Sequence, residues 1–323
     1  MFKKIIEGLA GVVSSSPKEP VDIDLGLKAY DLSLDAKVDP LLPAVAGWCF
    51  GVPPGISPSE WPLDPESGYP MQHGFTLKLP RHFQVCGPGI VAVSFFGPAY
   101  EHTDGGPTIT EGLDGIVRNP LKRPPSNSDL RALWSQGKTA HKRLHRMTDI
   151  LGCHYAAIPL STAEFQGAPC PVPDTANNAY LQQTVRPRWL KIGSAGQLFE
   201  QIKSQSALFP IEDDFRYRFL GGEPEMRVDF CMPIILTPRE ADPNAGRSPQ
   251  DIDVVSPYKS DFQMEDWAKG LGSCHLGGTM FANQSTPRMS PHYIEFEGHF
   301  GNFNFGNGNA QLDLKTFCFS WDC

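Results

Sequence analysis

Two histidines with metal-ligand spacing, His141 and His145, stand four residues apart in a stretch whose apolar spacing predicts a helix. On a helix this spacing places both imidazole rings on one face, where they could bind zinc. Lys142 stands where a zinc protease has a glutamate, and Arg143 and Arg146 add positive charge that opposes a bound cation. We therefore expect a solvated basic helix face here, and the sequence predicts no metal or other cofactor.

Two Cys–His dipeptides, Cys153–His154 and Cys274–His275, could support either metal binding or nucleophilic catalysis. They would supply a zinc site of two cysteines and two histidines if the fold brought them together. Adjacent residues of a strand point to opposite faces, however, so one dipeptide rarely supplies two ligands to the same metal. A cysteine nucleophile with a histidine base is the alternative, although neither cysteine has the sequence surroundings of a known cysteine hydrolase.

A polar group at Glu101, His102 and Asp104 follows an apolar segment, residues 90–96, that predicts a buried strand. Loops after buried strands often carry active sites, but Asp104-Gly-Gly-Pro is also a common turn sequence. The chain contains no nucleophile elbow, phosphate-binding loop, dinucleotide fingerprint or EF-hand. We predict that the protein is not an enzyme and has no catalytic residue. The alternative is an enzyme of unrecognised type, using a polar cleft near Glu101–Asp104 or a Cys–His pair.

Two acidic clusters lie in predicted loops: Glu212, Asp213 and Asp214 form the first, and Asp251 and Asp253 form the second. Such clusters usually face solvent. They could also contact a basic partner, because complementary charge speeds association and favours the correct partner. We predict that these five residues bind a partner.

The composition argues against two classes of partner. The 323 residues carry a formal charge of -8, whereas nucleic-acid binding requires clustered positive charge. No apolar run approaches the ~18–20 residues of a membrane-spanning helix. The eight cysteines include no CxxC pair, which indicates reduced and mostly buried thiols and predicts a cytoplasmic protein.

Glycine and proline, at 31 residues each, favour turns and short strands over long helices. We predict an α+β, strand-rich fold with mixed antiparallel sheets and a few short helices. Residues 1–20 are predicted to be an N-terminal amphipathic helix and connector. Residues 21–323 are predicted to be a single globular domain, with a division into two packed halves, 21–125 and 126–323, left open. The clearest predicted elements are strands at 75–79, 90–96 and 215–220, a helix that is capped by Ser128 or Asp129 and ends at Gly152, and a helix at 195–208.

Two similar aromatic–glycine–proline signatures lie near the ends of the chain. Their shared features are tight turns followed by alternating apolar residues, as strands require. They contain Gly51, Trp61, Pro62 and Gly68 in the first signature, and His275, Gly277 and Gly278 in the second. We predict a structural role for these seven residues.

The two signatures resemble the YwqG-like family of bacterial domains, whose function is uncharacterised. The similar motifs are Gly51-Val-Pro, Trp61-Pro62, Gly68-Tyr-Pro, His275-Leu-Gly-Gly, Gln284 and Asp313-Leu314. They cover only the two ends of the chain, and the His-Leu-Gly-Gly motif lacks one residue of the family pattern. The resemblance implies a strand-rich mixed fold with internal duplication. Relatives of this kind are often encoded beside polymorphic toxins, so it also implies an immunity protein.

We therefore expect an immunity protein that neutralises a cognate secreted antibacterial toxin, delivered by type VI secretion or of the Rhs type. It would bind the toxin domain one-to-one and occlude its active site. No nucleic-acid or membrane partner is expected. A scaffold for a secretion machine is a third hypothesis, which would predict stable self-assembly instead.

Overall fold

Eleven strands form one antiparallel sheet in the computed structural model of the protein, which describes residues 28–35, 45–100, 113–118, 123–205, 226–260 and 263–323. The strands lie in the order β11-β10-β9-β8-β1-β7-β2-β3-β4-β6-β5. Their bounds are β1 Tyr30–Leu34, β2 Val45–Phe50, β3 Gln72–Lys78, β4 Ile90–Gly97, β5 His145–Thr148, β6 His154–Ser161, β7 Cys231–Pro238, β8 His275–Leu276, β9 Tyr293–Glu297, β10 Asn309–Asp313 and β11 Phe319–Asp322.

Helices contribute little to the described residues. They are α1 Leu113–Val117, α2 Ser128–Lys138, α3 Thr162–Phe165 and α4 Trp189–Gln205, with short 3-10 turns at Pro58–Glu60, Arg81–Phe83 and Leu181–Gln183. A strand-rich α+β protein with few short helices is therefore confirmed, although strands predominate and belong to one sheet rather than several. The predicted helix at 1–20 and the predicted strand at 215–220 lie outside the described residues.

The predicted strands at 75–79 and 90–96 correspond to β3 and β4, and both faces of β4 are buried. Val93 and Phe95 point into one apolar cluster, which we call the inner core. Ala92 and Phe96 point into a second cluster, the helix-side core, which also contains residues of α1, α2 and α4. Burial on both faces explains why the sequence of β4 is almost continuously apolar.

The prediction of one helix from Ser128 to Gly152 is wrong for the residues after Lys138. The helix begins at Ser128, but its capping residue is Asn127 and not the predicted Ser128 or Asp129: the Asn127 Oδ1 accepts hydrogen bonds from the backbone N–H groups of Asp129 and Leu130, at 2.8 and 3.1 Å. It ends at Lys138, and the chain turns to form β5 against β6. Pairing with β6 satisfies the backbone groups of residues 145–148, so tertiary context overrides the helical spacing.

Side chains bring the two edges of the sheet together, so that the sheet is rolled into a near-barrel. The ring of His145 at the β5 edge stacks on Phe317, next to β11, with centroids 3.8 Å apart. Trp321 of β11 donates a hydrogen bond from Nε1 to Asp149 Oδ2 at 2.6 Å, just beyond β5. The inner core is therefore enclosed by the concave face of the sheet.

Phe303 fills the inner core by packing directly against the backbone of two glycine residues. Its ring packs over Gly74 in β3 and Gly97 in β4, where a Cβ atom would stand 2.0 and 2.5 Å from ring carbons. The register of β3 against β4 shifts at this point, between His73 and Phe75. The two glycines are needed for this close approach, whatever their backbone conformation.

Gly74→Ala is expected to lower the free energy of unfolding by about 1–3 kcal/mol, because the new methyl group overlaps the Phe303 ring and the core must shift. Gly115→Ala in α1 is the matched control, since nothing lies within 4 Å of its Cβ position. It should change stability little, or raise it by up to about 1 kcal/mol. Urea unfolding of both variants measures the difference, and equal effects would contradict the packing described here.

Candidate functional site

The turn that follows β8 is fixed by a buried carboxylate, Asp242. Its Oδ2 accepts a hydrogen bond from the Thr279 backbone N–H at 2.8 Å, and its Oδ1 accepts one from the Thr279 hydroxyl at 2.7 Å. A Cβ on Gly278, where φ is +81°, would lie 2.4 Å from Asp242 Oδ2. Glycine is therefore required in this part of the His275-Leu-Gly-Gly motif.

A buried arginine balances the charge of that carboxylate. The Arg239 side chain is fully buried, with Nη1 3.3 Å from Asp242 Oδ2 and Nε 2.6 Å from Asp31 Oδ1. Burial of an unpaired guanidinium would raise the free energy of the folded protein. The two carboxylates are therefore needed to stabilise Arg239 in its buried position. The network ties β1, the segment after β7 and the turn after β8 together.

Glu295 of β9 is the centre of a second buried network. Its Oε1 accepts hydrogen bonds from the side-chain amides of Asn309 and Gln311, at 2.7 and 2.9 Å. Its Oε2 accepts one from the Phe281 backbone N–H at 2.8 Å and lies 2.5 Å from His275 Nε2. The carboxyl group is completely buried, and these partners satisfy its hydrogen-bonding capacity.

His275 connects this network to the glycine turn. Its Nδ1 lies 2.7 Å from the Gly277 carbonyl oxygen, which can only accept, so Nδ1 carries a proton. The predicted structural role of His275, Gly277 and Gly278 thus corresponds to a dense set of buried contacts. Because both His275 and Glu295 are inaccessible, this pair supports the fold and does not contact solvent directly.

A loop at residues 244–258 lies above this turn and bounds a cleft. Asn244 braces the loop, because its side chain donates to the Val255 carbonyl and accepts from the Val255 N–H, both at 2.8 Å. The cleft has a volume of about 300 Å³, and its lining includes Asn244, Gln250, Asp251, Tyr258, Gly278 and Met280.

The predicted partner-binding residues Asp251 and Asp253 lie on this loop, and both are exposed. Asp251 lines the cleft and accepts a hydrogen bond from the Ser248 N–H at 3.0 Å. Between the two aspartates stands Ile252, whose side chain is 99% exposed. We call residues 251–253 the Asp–Ile–Asp tip. The other predicted acidic cluster, Glu212, Asp213 and Asp214, lies outside the described residues, as do Glu101, His102 and Asp104.

Residues of the first signature also make specific structural contacts. Trp61 is buried, stacks on Trp189 with centroids 6.2 Å apart, and donates from Nε1 to the Met71 carbonyl at 2.9 Å. The Pro62 carbonyl accepts from the Met71 N–H at 2.8 Å. Gly51 and Gly68 both adopt positive φ, at +64° and +75°, which only glycine adopts readily.

The prediction that His141 and His145 share a helix face is wrong. His141 lies in a turn after α2, with Nε2 3.2 Å from Glu164 Oε1, whereas His145 begins β5. Glu164 also receives hydrogen bonds from Ser161 and Arg143. Burial raises the pKa of Glu164, but the hydrogen bonds from Ser161, Arg143 and His141 outweigh it and lower the pKa to about 2.

The Cys–His dipeptides do not act as pairs. Successive residues of an extended chain face opposite sides, so His275 of β8 joins the Glu295 network while Cys274, directly before β8, enters the inner core. Its sulfur instead lies 3.7 Å from Nε2 of His299, a residue that sequence reasoning missed. His154 pairs with Thr148, through Nδ1 and Oγ1 at 3.2 Å. Within the described ranges, no group of three or more His, Cys, Asp or Glu side chains could hold a metal ion.

Comparison with known proteins gives no assignment: no protein-family model, curated protein or solved structure matches this chain. In the part of the chain that the structure describes, no helix combines the length and apolar character needed to cross a lipid bilayer.

Glu295→Gln is expected to lower the free energy of unfolding by about 1–3 kcal/mol, because its new amide donor must face groups that themselves donate. Asp253→Asn makes the same chemical change at an exposed site and should stay within about 0.5 kcal/mol of the wild type. Chemical denaturation compares the two. Equal stability of both variants would show that the buried network does not need the carboxylate.

Glu164 also predicts a pH dependence of stability. Its pKa is about 2 in the folded protein and 4.5 for a free side chain, so the unfolded state binds more protons between these values. Its contribution is therefore complete above the unfolded pKa and is lost as the pH falls from 4.5 towards 2. Urea unfolding across this range should show a shallower pH dependence for Glu164→Gln than for the wild type. Identical slopes would contradict the assignment.

Proposed function

We propose that this protein acts by binding another protein through the Asp–Ile–Asp tip. The observation that carries the proposal is the complete exposure of Ile252 between two exposed carboxylates, on a loop braced from beneath by Asn244. An apolar side chain on a fixed loop can enter a pocket of a partner with little loss of conformational entropy. Flanking carboxylates would then pair with lysine or arginine at the rim of that pocket.

The partner chemistry that fits this tip is a basic protein surface around an apolar pocket. Val255, which is 44% exposed, extends the apolar contact beyond Ile252. The chain as a whole carries a formal charge of -8, which favours encounter with a basic partner.

We further propose that the partner is a secreted antibacterial toxin domain and that the chain is its cytoplasmic immunity protein. Support comes from the YwqG-like signatures and from the formal charge of -8, since many toxins that act on nucleic acids or phosphates have basic active sites. Inhibition is by occlusion: the tip enters the catalytic cleft in a one-to-one complex and excludes substrate. Binding and not catalysis is the function of this surface.

Internal duplication remains part of the proposal. The first signature contributes β2 and β3 to one flank of the sheet, and the second contributes β8, β9 and β10 to the other flank. Between the flanks, β1 and β7 pair with each other. Each flank has a buried polar centre, His73 in β3 and His275 in β8. This arrangement supports two related halves whose sequences have diverged.

The test begins with affinity capture of the partner from the source cells in high salt, followed by binding kinetics with the purified partner. Asp251→Lys combined with Asp253→Lys should lower the association rate by roughly tenfold or more at low salt, because steering is reversed. Ile252→Ser should raise the dissociation rate by roughly tenfold, through loss of the apolar anchor.

Asp266→Lys is the matched control, because Asp266 is also an exposed aspartate and its carboxylate forms a salt bridge with nearby Lys269. It should leave both rates within about twofold of the wild type, since isolated surface charges contribute little to binding. Unchanged kinetics in the tip variants, or the absence of any stoichiometric partner, would overturn the proposal.

A further inference from the structure

Cys274, His299 and Glu297 form a linear array of nucleophile, base and carboxylate. Cys274 Sγ lies 3.7 Å from His299 Nε2, and His299 Nδ1 lies 3.1 Å from Glu297 Oε2. The Glu297 backbone N–H also donates to Cys274 Sγ, at 3.4 Å. This order of contacts is the one by which a thiol is deprotonated and its histidine partner is held in position.

The β-ladder explains how residues distant in sequence form this array. Cys274 directly precedes β8, which pairs with β9 through His275 and Glu295. Glu297 is the last residue of β9, and His299 follows in the turn that leads to Phe303. The array therefore depends on strand pairing and on the turn that the inner core holds in place.

The neighbours of His299 favour its protonated form. Burial alone would lower the pKa of His299, but Cys274 and Glu297 outweigh it and raise the pKa to about 9. Hydrogen bonding to His299 lowers the pKa of Glu297, with a further contribution from Ser273. Both partners of the imidazole thus favour its protonated form near neutral pH.

Five other cysteines are in environments that favour the neutral thiol. Burial raises the pKa of Cys86, Cys153, Cys170 and Cys231 to about 12 in each case. Burial also raises the pKa of Cys49, with contributions from the neighbouring Cys274 and Cys231. Cys49 of β2 is the thiol that lies near Cys274, and in neutral form it adds no charge to the array.

We propose that Cys274 is a peroxide-reactive cysteine, with His299 as its acid–base partner and Glu297 as a positioning residue. The thiolate of Cys274 attacks one oxygen of hydrogen peroxide, forming an S–O bond while the O–O bond breaks. The Nε2 proton of His299 passes to the departing hydroxide, which leaves as water. The sulfur is oxidised to a sulfenic acid and His299 becomes neutral. One oxygen of the peroxide is now bound to sulfur, and the other has left as water.

The burial of Cys274 limits the size of the oxidant that can reach its sulfur. Cys274 is only 3% exposed, whereas the side chain of Glu297 is 39% exposed, so the array meets solvent at its carboxylate end. A small, uncharged oxidant such as hydrogen peroxide can enter where a peptide or sugar cannot. This reaction lies outside the proposed binding function, and its failure would leave that function untouched.

The experiment treats the folded, full-length protein with hydrogen peroxide at about pH 6, where an ordinary thiol with pKa ~8.5 is almost fully protonated. Sulfenic acid is trapped with dimedone, and each cysteine is quantified by peptide mass spectrometry. Exposed Cys318 serves as the internal control. We expect Cys274 to react at least roughly tenfold faster than Cys318, because His299 Nε2 and the Glu297 backbone N–H both contact its sulfur.

His299→Gln keeps a polar side chain of similar size but cannot form the imidazolium, so it should remove that advantage and restore the rising pH profile of an ordinary thiol. Glu297→Gln should lower the rate less and shift the pH profile, as expected for a positioning residue. Thermal unfolding checks that each variant is folded. If one of these two variants does not fold, a second measurement takes the place of its reaction rate. This measurement is the difference in thiolate absorbance near 240 nm between the wild type and Cys274→Ser. Reaction of Cys274 no faster than Cys318, unchanged rates in a folded His299→Gln protein, or no thiolate absorbance would overturn the proposal.

Discussion

The structure depends on the closure of one long antiparallel sheet around the aromatic inner core. The two edge strands β5 and β11 meet through side chains, with Trp321 donating to Asp149 and His145 stacking on Phe317. Closure requires tight packing inside, which Phe303 achieves by lying on glycine backbone. An open edge would expose backbone groups to other chains, so side-chain closure also protects the sheet from edge-to-edge association.

Closure of the sheet leaves the connecting segments to form the surface features. Asp242 and Glu295 are buried carboxylates whose desolvation is offset by many donors, and together they fix the turn after β8. Asn244 extends this fixed region outward to the loop that ends in the Asp–Ile–Asp tip. The exposed tip is therefore the outer end of a continuous polar network that begins in the sheet, which is how a loop without regular structure can present one defined surface.

Local sequence patterns predicted those strands and helix starts that are determined by neighbouring residues in the sequence. The alternating and apolar runs located β3 and β4, α2 begins close to its predicted start although Asn127 caps it, and the acidic pair Asp251 and Asp253 is exposed. The patterns failed where pairing with a distant segment determines the secondary structure. Residues 145–148 form a strand because β6 lies beside them. Cys274 was considered with its neighbour His275, yet strand alternation separates them, and its true partner lies 25 residues away. Alternation could not have indicated Glu297 and His299, because it places Glu297 on the face of Glu295; their contact with Cys274 depends on the end of β9 and the turn that follows it.

The most direct test of the binding account is site-specific photo-crosslinking in the source cells. A photoreactive residue placed at position 252 reports contacts of the tip, and one at Val185, which is 83% exposed elsewhere on the surface, reports non-specific contacts. The account predicts that position 252 captures one dominant protein with a basic contact surface and that position 185 does not. Capture of the same mixture at both positions, or no capture at position 252, would contradict it.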